Sequence, residues 1–380
     1  MDAVFTDPIT KQITGAFGLG SSFGFQLFRL LANGSFDPAF GTAGLTIGKF
    51  GSGGDAHTPT GLNVLKDGRI LVTGTVTTDS PSILQPAMAA FHADGKSDEE
   101  FGNDGSLVVP LPDMFAQPEG ESTEASAGVA QPSSASYVFS FNGNGAYRDK
   151  GVLIRVTEKG ALDTSFAGAG YKVFQIDNLP TRVNALLVQP GDKIVVVGSV
   201  DAIIGVLARF TSSGELDKGF AENGRRLYAP RGYAVLTGLT SRADERLVAV
   251  GYLGAHQHGL VVATSKDGAV DFAFNDGFPL LLQAGSSLTS FHAVAVQLDG
   301  LVVIAGNTQQ EAATVFRLKL NGDLDTAFAS KGYISGLGLR MTTMALQTDS
   351  NILLGGALTS KPVLKRYLGG GPVAKKATAE

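Results

Sequence analysis

The stretch "NGDLDTAFASKG", Asn321–Gly332, decides how this chain is read. A glycine is followed three residues later by an aspartate, three further on by a phenylalanine, and four further on by a glycine. The same spacing appears in "NGSFDPAFGTAG" from Asn33, "DGKSDEEFGNDG" from Asp94 and "KGALDTSFAGAG" from Lys159. It returns in "SGELDKGFAENG" from Ser213 and, one residue shorter before the last glycine, in "DGAVDFAFNDG" from Asp267. The first glycines are Gly34, Gly95, Gly160, Gly214, Gly268 and Gly322, so successive intervals are 61, 65, 54, 54 and 54 residues.

Working outward, a second motif lies between the copies: a turn, then an apolar run closing on glycine. It reads "LKDGRILVTG" from Leu65, "QPGDKIVVVG" from Gln189, "SRADERLVAVG" from Ser241, "QLDGLVVIAG" from Gln297 and "QTDSNILLGG" from Gln347. "QPSSASYVFSF" from Gln131 is a degraded copy, and the N-terminal "AVFTDPITKQITGAFG" has the same shape. Alternating segments such as "NALLVQP" suit half-buried strands, and continuous ones such as "KIVVVGS" suit strands buried on both faces. No stretch carries a helical period. Four strands per unit at a spacing of 54 residues predict an all-β, seven-bladed β-propeller of four-stranded antiparallel blades, filling a chain of 380 residues. One blade is expected to be shared by the N- and C-termini, because the first unit lacks a preceding D-x-x-F element and the last lacks a following one. A single domain over residues 1–370 and a flexible tail over 371–380 complete the expected organisation.

The spacing has a physical reading. Glycine supplies the positive φ of a turn after the third strand. Asp37, Asp98, Asp163, Asp217, Asp271 and Asp325 accept backbone N–H bonds inside that turn. Phe40, Phe101, Phe166, Phe220, Phe274 and Phe328 are expected to plug the gap between neighbouring blades. The six aspartates therefore read as structural and not as catalytic carboxylates.

These residues also carry a resemblance. Gly160, Leu162, Asp163, Phe166 and Gly170, with Gln189, Pro190, Lys193, Ile194 and Gly198, resemble the bacterial delta-60 repeat, an uncharacterised β-propeller domain. The resemblance runs over almost the whole chain and is weakest in the second unit, where "SSAS" replaces the turn. It implies a propeller found in exported or surface-associated bacterial proteins. It implies no reaction, so no catalytic residue is carried over.

Composition narrows the function. The net charge of −5 with scattered Lys and Arg argues against nucleic acid. The absence of cysteine excludes disulfides, thiolate metal sites and cysteine nucleophiles. No apolar run reaches the roughly 18 residues of a membrane span, and the N-terminal residues show no signal peptide. Walker loops, H-E-x-x-H, G-x-S-x-G and EF-hand loops are missing, and no cofactor is expected.

Residues that break the repeat are the candidates for function. Aligned five before the glutamine motif stand Thr60, Ser126, Asn184, Leu236, His292 and Thr342, a largely polar ring on the strand expected to be innermost. His292 is the candidate catalytic residue among them. The long unit between Gly95 and Gly160 carries an insertion with Glu119, Glu121 and Glu124, and a loop with Tyr147, Arg148 and Asp149. His256 and His258 share one side of a strand, as two metal ligands would, but no third ligand is identifiable. His57 reads as an isolated loop histidine, and Tyr147, Tyr228 and Tyr233 are candidate surface aromatics. Two readings stay open. The first is a monomeric, non-catalytic binding or scaffolding propeller that engages a protein or glycan through loops at the channel face. The alternative is a lyase or hydrolase with its active site at the channel mouth.

Overall fold

The computed structural model describes every residue except 21–22, 52–55, 80–81, 112–128, 132–134, 144–149, 230–232, 255–257, 360, 371–375 and 378–380. Its strands follow one another as antiparallel meanders, each pairing with the next in sequence. Five meanders are separate four-stranded sheets, at residues 3–48, 57–108, 234–282, 289–334 and 340–377. Two more, at 129–174 and 181–228, join into one eight-stranded sheet through a single parallel bridge, Lys150 to Thr181. They are numbered here as sheets one to seven in chain order. The only helical piece among the described strands and helices is a short 3-10 turn, Asn275–Gly277.

The expectation of a blade shared between the termini is corrected. Ala3–Thr6 is the first strand of sheet one and pairs with Ile13–Gly18, whereas sheet seven is built from residues near the C-terminus alone. Each glycine-ended apolar run already finds its first strand immediately upstream, so no strand has to be borrowed. Sheets seven and one instead pack side by side. Thr6 Oγ1 donates to the Leu346 carbonyl at 2.6 Å, Gln347 Nε2 to Lys11 at 3.4 Å, and Arg366 Nη1 to Ala32 at 2.6 Å. Lys376–Ala377 pair with Arg366 and Tyr367.

The core lies between sheets. In the second strand of sheet five, Leu247 and Ala249 face sheet four while Val248 and Val250 face sheet six. That alternation is why these strands read as continuous apolar runs. The D-x-x-F phenylalanines are the plugs: Phe40, Phe101, Phe166, Phe220, Phe274 and Phe328 are all fully buried. The first glycine of the next unit lies on the ring. At Gly214, φ is +85° and a Cβ would come within 2.9 Å of Phe166, so both the turn and the contact exclude a side chain. Backbone bonds fix this register, as from Ala167 N–H to Ser213 at 3.0 Å and from Ala221 N–H to Asp267 at 2.8 Å.

Sequence reasoning missed the arginine that completes the clamp. Arg29, Arg155, Arg209 and Arg317 stand eight residues before their aspartates and bond them at 2.6–2.8 Å. Their guanidiniums lie 4.7–4.9 Å from the centres of the Phe40, Phe166, Phe220 and Phe328 rings. Sheets two and five carry Ala90 and Ala263 at that position. There Arg69 and Arg246 reach Asp98 and Asp271 from the turn between the first two strands, at 4.0 and 2.9 Å.

Candidate functional site

In an antiparallel meander the turns between strands one and two, and between three and four, fall at one end. The turns between strands two and three, and the links between sheets, fall at the other. The first end holds the Gln and D-x-x-F motifs and is occupied by structural bonds. The second holds the residues that break the repeat.

At this second end the first strands share an irregularity. The ladder slips by one residue at Thr60, Asn184, His292 and Thr342. In sheet five the slip falls at Thr237, not at Leu236, which is fully buried and paired with Gly251. The motif there is one residue longer before its apolar run, so counting back from it lands one position early. A bulge takes its extra residue out of the ladder and re-aims the side chain. Asn184 Nδ2 donates to the Leu236 carbonyl at 2.8 Å and Thr237 Oγ1 to Phe291 at 2.7 Å, each in the following sheet. Thr342 Oγ1 bonds the Met1 carbonyl, while Thr60 Oγ1 reaches Thr73 within its own sheet at 3.4 Å. Two of the expected channel-lining residues, Asn184 and Thr342, thus tie one sheet to the next, and so does Thr237, which the expectation had missed by one position.

His292 is the departure. The tie from sheet six to sheet seven is made by Asn307, on the adjacent strand. Its Nδ2 donates to the Met341 carbonyl and its Oδ1 accepts from the Met341 amide, both at 2.9 Å. The His292 ring is directed to Ser290, with Nε2 and Oγ 3.0 Å apart. These two groups lie in a cavity of about 320 Å³ with Asn307, Gln309, Glu311 and Arg340. Glu311 and Arg340 are 3.8 Å apart and 70% and 64% exposed, so their mutual attraction is weak and both heads are open to solvent. A larger cleft of about 730 Å³ lies between sheets one and two. It is a poorer candidate, because Gly41 and Asp94 in its wall form one of the bonds that hold those sheets together.

Asn142 repeats the Asn307 pattern in sheet three, bonding both backbone groups of Val183 at 2.7–2.8 Å. The signal for both was present in the sequence: an asparagine at the end of the apolar run. Ser126, Glu119, Glu121, Glu124, Tyr147, Arg148, Asp149 and His256 lie outside the described residues. His258 opens the third strand of sheet five, paired with Leu253. Among the described residues no three His, Cys, Asp or Glu side chains gather as metal ligands.

Two histidine and tyrosine expectations are corrected. His57 is not a loop residue: it opens the first strand of sheet two, is 4% exposed, and its Nδ1 accepts the Phe50 amide at 3.1 Å. Thr181 and Thr289 do the same for Ile176 and Ala284, so His57 fills a structural position. Burial, with the nearby Lys49 charge, holds its pKa below the ordinary histidine value. Tyr228 packs into the core between sheets four and five, where burial raises its hydroxyl.

Comparison with known proteins agrees with this architecture. A family model described as a domain of unknown function (DUF5122) beta-propeller matches residues 297–328. No curated protein matches the chain in sequence. Among solved structures, a protein from Lactobacillus plantarum is 12% identical over 97% of this chain and 95% of its own, with a TM-score of 0.56. The Myceliophteria thermophila Cps50 (Swd1) beta-propeller domain is 10% identical over 95% of each chain, also at 0.56. An ulvan lyase is 11% identical over 81% of this chain and 80% of its own, at 0.51. The fold is therefore all-β and of the β-propeller type. Among the described residues no helix is long and apolar enough to cross a membrane.

Proposed function

We propose that this chain is a non-catalytic binding propeller whose ligand site is the sheet-six cavity around Ser290, His292, Glu311 and Arg340. One observation carries the reading. Where sheets four, five and seven spend the bulged residue on a bond to the next sheet, sheet six makes that bond from Asn307 and directs its bulged histidine to Ser290 in a cavity. A polar cavity of this size, with a few convergent groups, suits a small molecule or the end of a larger one. The seven meanders are read as seven blades of one closed ring, the last of which takes in Lys376–Ala377, so the tail expected over 371–380 is not kept as such. This is the delta-60 type of propeller, working as a monomer in an exported or surface-associated bacterial setting. The occupant is a protein segment or a glycan.

Soaking crystals with a library of polar fragments tests this. Fragments are expected against Ser290, His292 and Arg340, and to disappear in His292→Ala. Fragments collecting only in the cleft between sheets one and two would overturn it.

The alternative, a lyase or hydrolase, draws on the Ser290–His292 pair, since a hydroxyl and an imidazole 3.0 Å apart are within reach for proton transfer. Turnover of any screened substrate that is lost in both Ser290→Ala and His292→Ala, with folding intact, would favour it over simple binding.

A further inference from the structure

At the same end of the molecule as the sheet-six cavity stands a pair of tyrosines outside the repeated motifs. Tyr252 is the penultimate residue of the second strand of sheet five, Leu247–Leu253, and Tyr233 precedes that sheet's first strand. Their rings lie 6.3 Å apart, tilted by 36°, and both are half-buried. Val248 and Val250 face sheet six, and alternation along the strand sends Tyr252 the same way. It also occupies the register position that Asn307 holds in sheet six, one residue beyond the closing glycine and paired with the first strand. The tyrosine pair therefore stands on the sheet-five side of the strand Thr289–Val296, and the cavity lies on its sheet-seven side. Both are at the end of the molecule where the first strands begin.

From this juxtaposition we infer that the site takes a saccharide chain, one sugar unit lying on the Tyr233–Tyr252 pair and the next entering the sheet-six cavity. The inference rests on the binding reading above and names its ligand class. A sugar ring has an apolar face of C–H groups and a rim of hydroxyls. Tyrosine offers an apolar ring with a polar tip, which matches such a face. The cavity offers what the hydroxyl rim needs: a serine hydroxyl, an imidazole, a glutamine carboxamide, a carboxylate and a guanidinium. Glu311 and Arg340 present planar two-atom heads, which suit adjacent hydroxyl groups. The cavity volume of about 320 Å³ is at the lower end for ligand pockets, enough for one unit of a chain and not for the whole of it. Arg340 and Glu311 bring opposite charges, so neutral and uronate sugars share this chemistry and the experiment must separate them.

The chain has eight tyrosines and no tryptophan, so tyrosine emission is observed without a tryptophan background and the Tyr252 variants assign the part that comes from the platform. The intact chain is titrated with two sets of soluble oligosaccharides, neutral glucans and mannans in one arm and oligogalacturonates in the other. Emission and calorimetry are recorded together. At least one arm is expected to bind. Tyr252→Ala should weaken it by about tenfold or more, a change of roughly 1.4 kcal/mol, while Tyr252→Phe keeps it within a few-fold. Arg340→Gln should weaken the uronate arm more than the neutral one. Binding that is indifferent to Tyr252→Ala, or no binding by either arm, overturns the saccharide assignment. If fragments still occupy the Ser290–His292 cavity in that case, the binding site stands and its ligand is of another class, a peptide included. If they do not, both readings fall.

Discussion

Phe166 touches Gly214 of the next unit on one side and carries the Arg155 guanidinium 4.9 Å from its ring centre on the other. Its burial and its contact between sheets are the same fact. Phe166→Ala should cost about 3–5 kcal/mol, and Phe220→Ala a similar amount, measured by urea unfolding; unchanged midpoints would show that the plug is dispensable. Asp163, bonded to Arg155, adds a pH dependence. Burial raises its carboxyl, but bonds from the Ser165 hydroxyl and amide and the Arg155 charge prevail, so it sits below the usual value. A depressed carboxylate stabilises the fold above its unfolded pKa of about 3.9 and loses that contribution as the pH falls through the folded value. Asp163→Asn should therefore flatten the stability profile below about pH 4. His57 has the opposite protonation chemistry but the same direction with acid. Its folded pKa is lowered, so the unfolded chain takes up the proton first, and stability drops as the pH falls below about 6.5. His57→Asn should remove that part of the slope in thermal melts between pH 7 and pH 5, while a slope that persists would point to another group.

At the scale of elements, the bulged first strand separates structure from function. Asn307 satisfies both backbone groups of Met341, so Asn307→Ala should cost about 1–3 kcal/mol. His292→Ala leaves the Asn307 tie between sheets six and seven in place and should leave the melting temperature nearly unchanged. A large loss of stability in His292→Ala would mean that the imidazole is part of the scaffold. Much of this element was legible. The D-x-x-F spacing located the turns, and the apolar runs located the second strands, because each rests on interactions within a few residues. Thr237 was missed, since a bulge shows only when the partner strand is in view. The clamp arginines were missed for a milder reason: their eight-residue spacing to aspartate is regular, but two sheets supply the arginine from elsewhere.

Across the whole molecule, every sheet has apolar faces that only its neighbours can cover, so stability is shared and not local. Arg366 joins sheet seven to Ala32 of sheet one. If the sheets close into a ring, Arg366→Ala should lower the melting temperature while unfolding stays a single transition by calorimetry. A separate early step confined to sheet seven would argue for an open arrangement.

The sequence by itself determined the fold class, the unit length and the roles of the glycines, aspartates and phenylalanines, because those follow from a local pattern repeated many times over. Only the tertiary structure decided that no blade is shared between the termini, that Asn184 and Thr342 of the polar ring bond between sheets, and that His292 stands with Ser290, Glu311 and Arg340. Those groups lie on two sheets and on both sides of a bulge. Their proximity comes from how the sheets pack side by side, and no spacing along one chain segment encodes it.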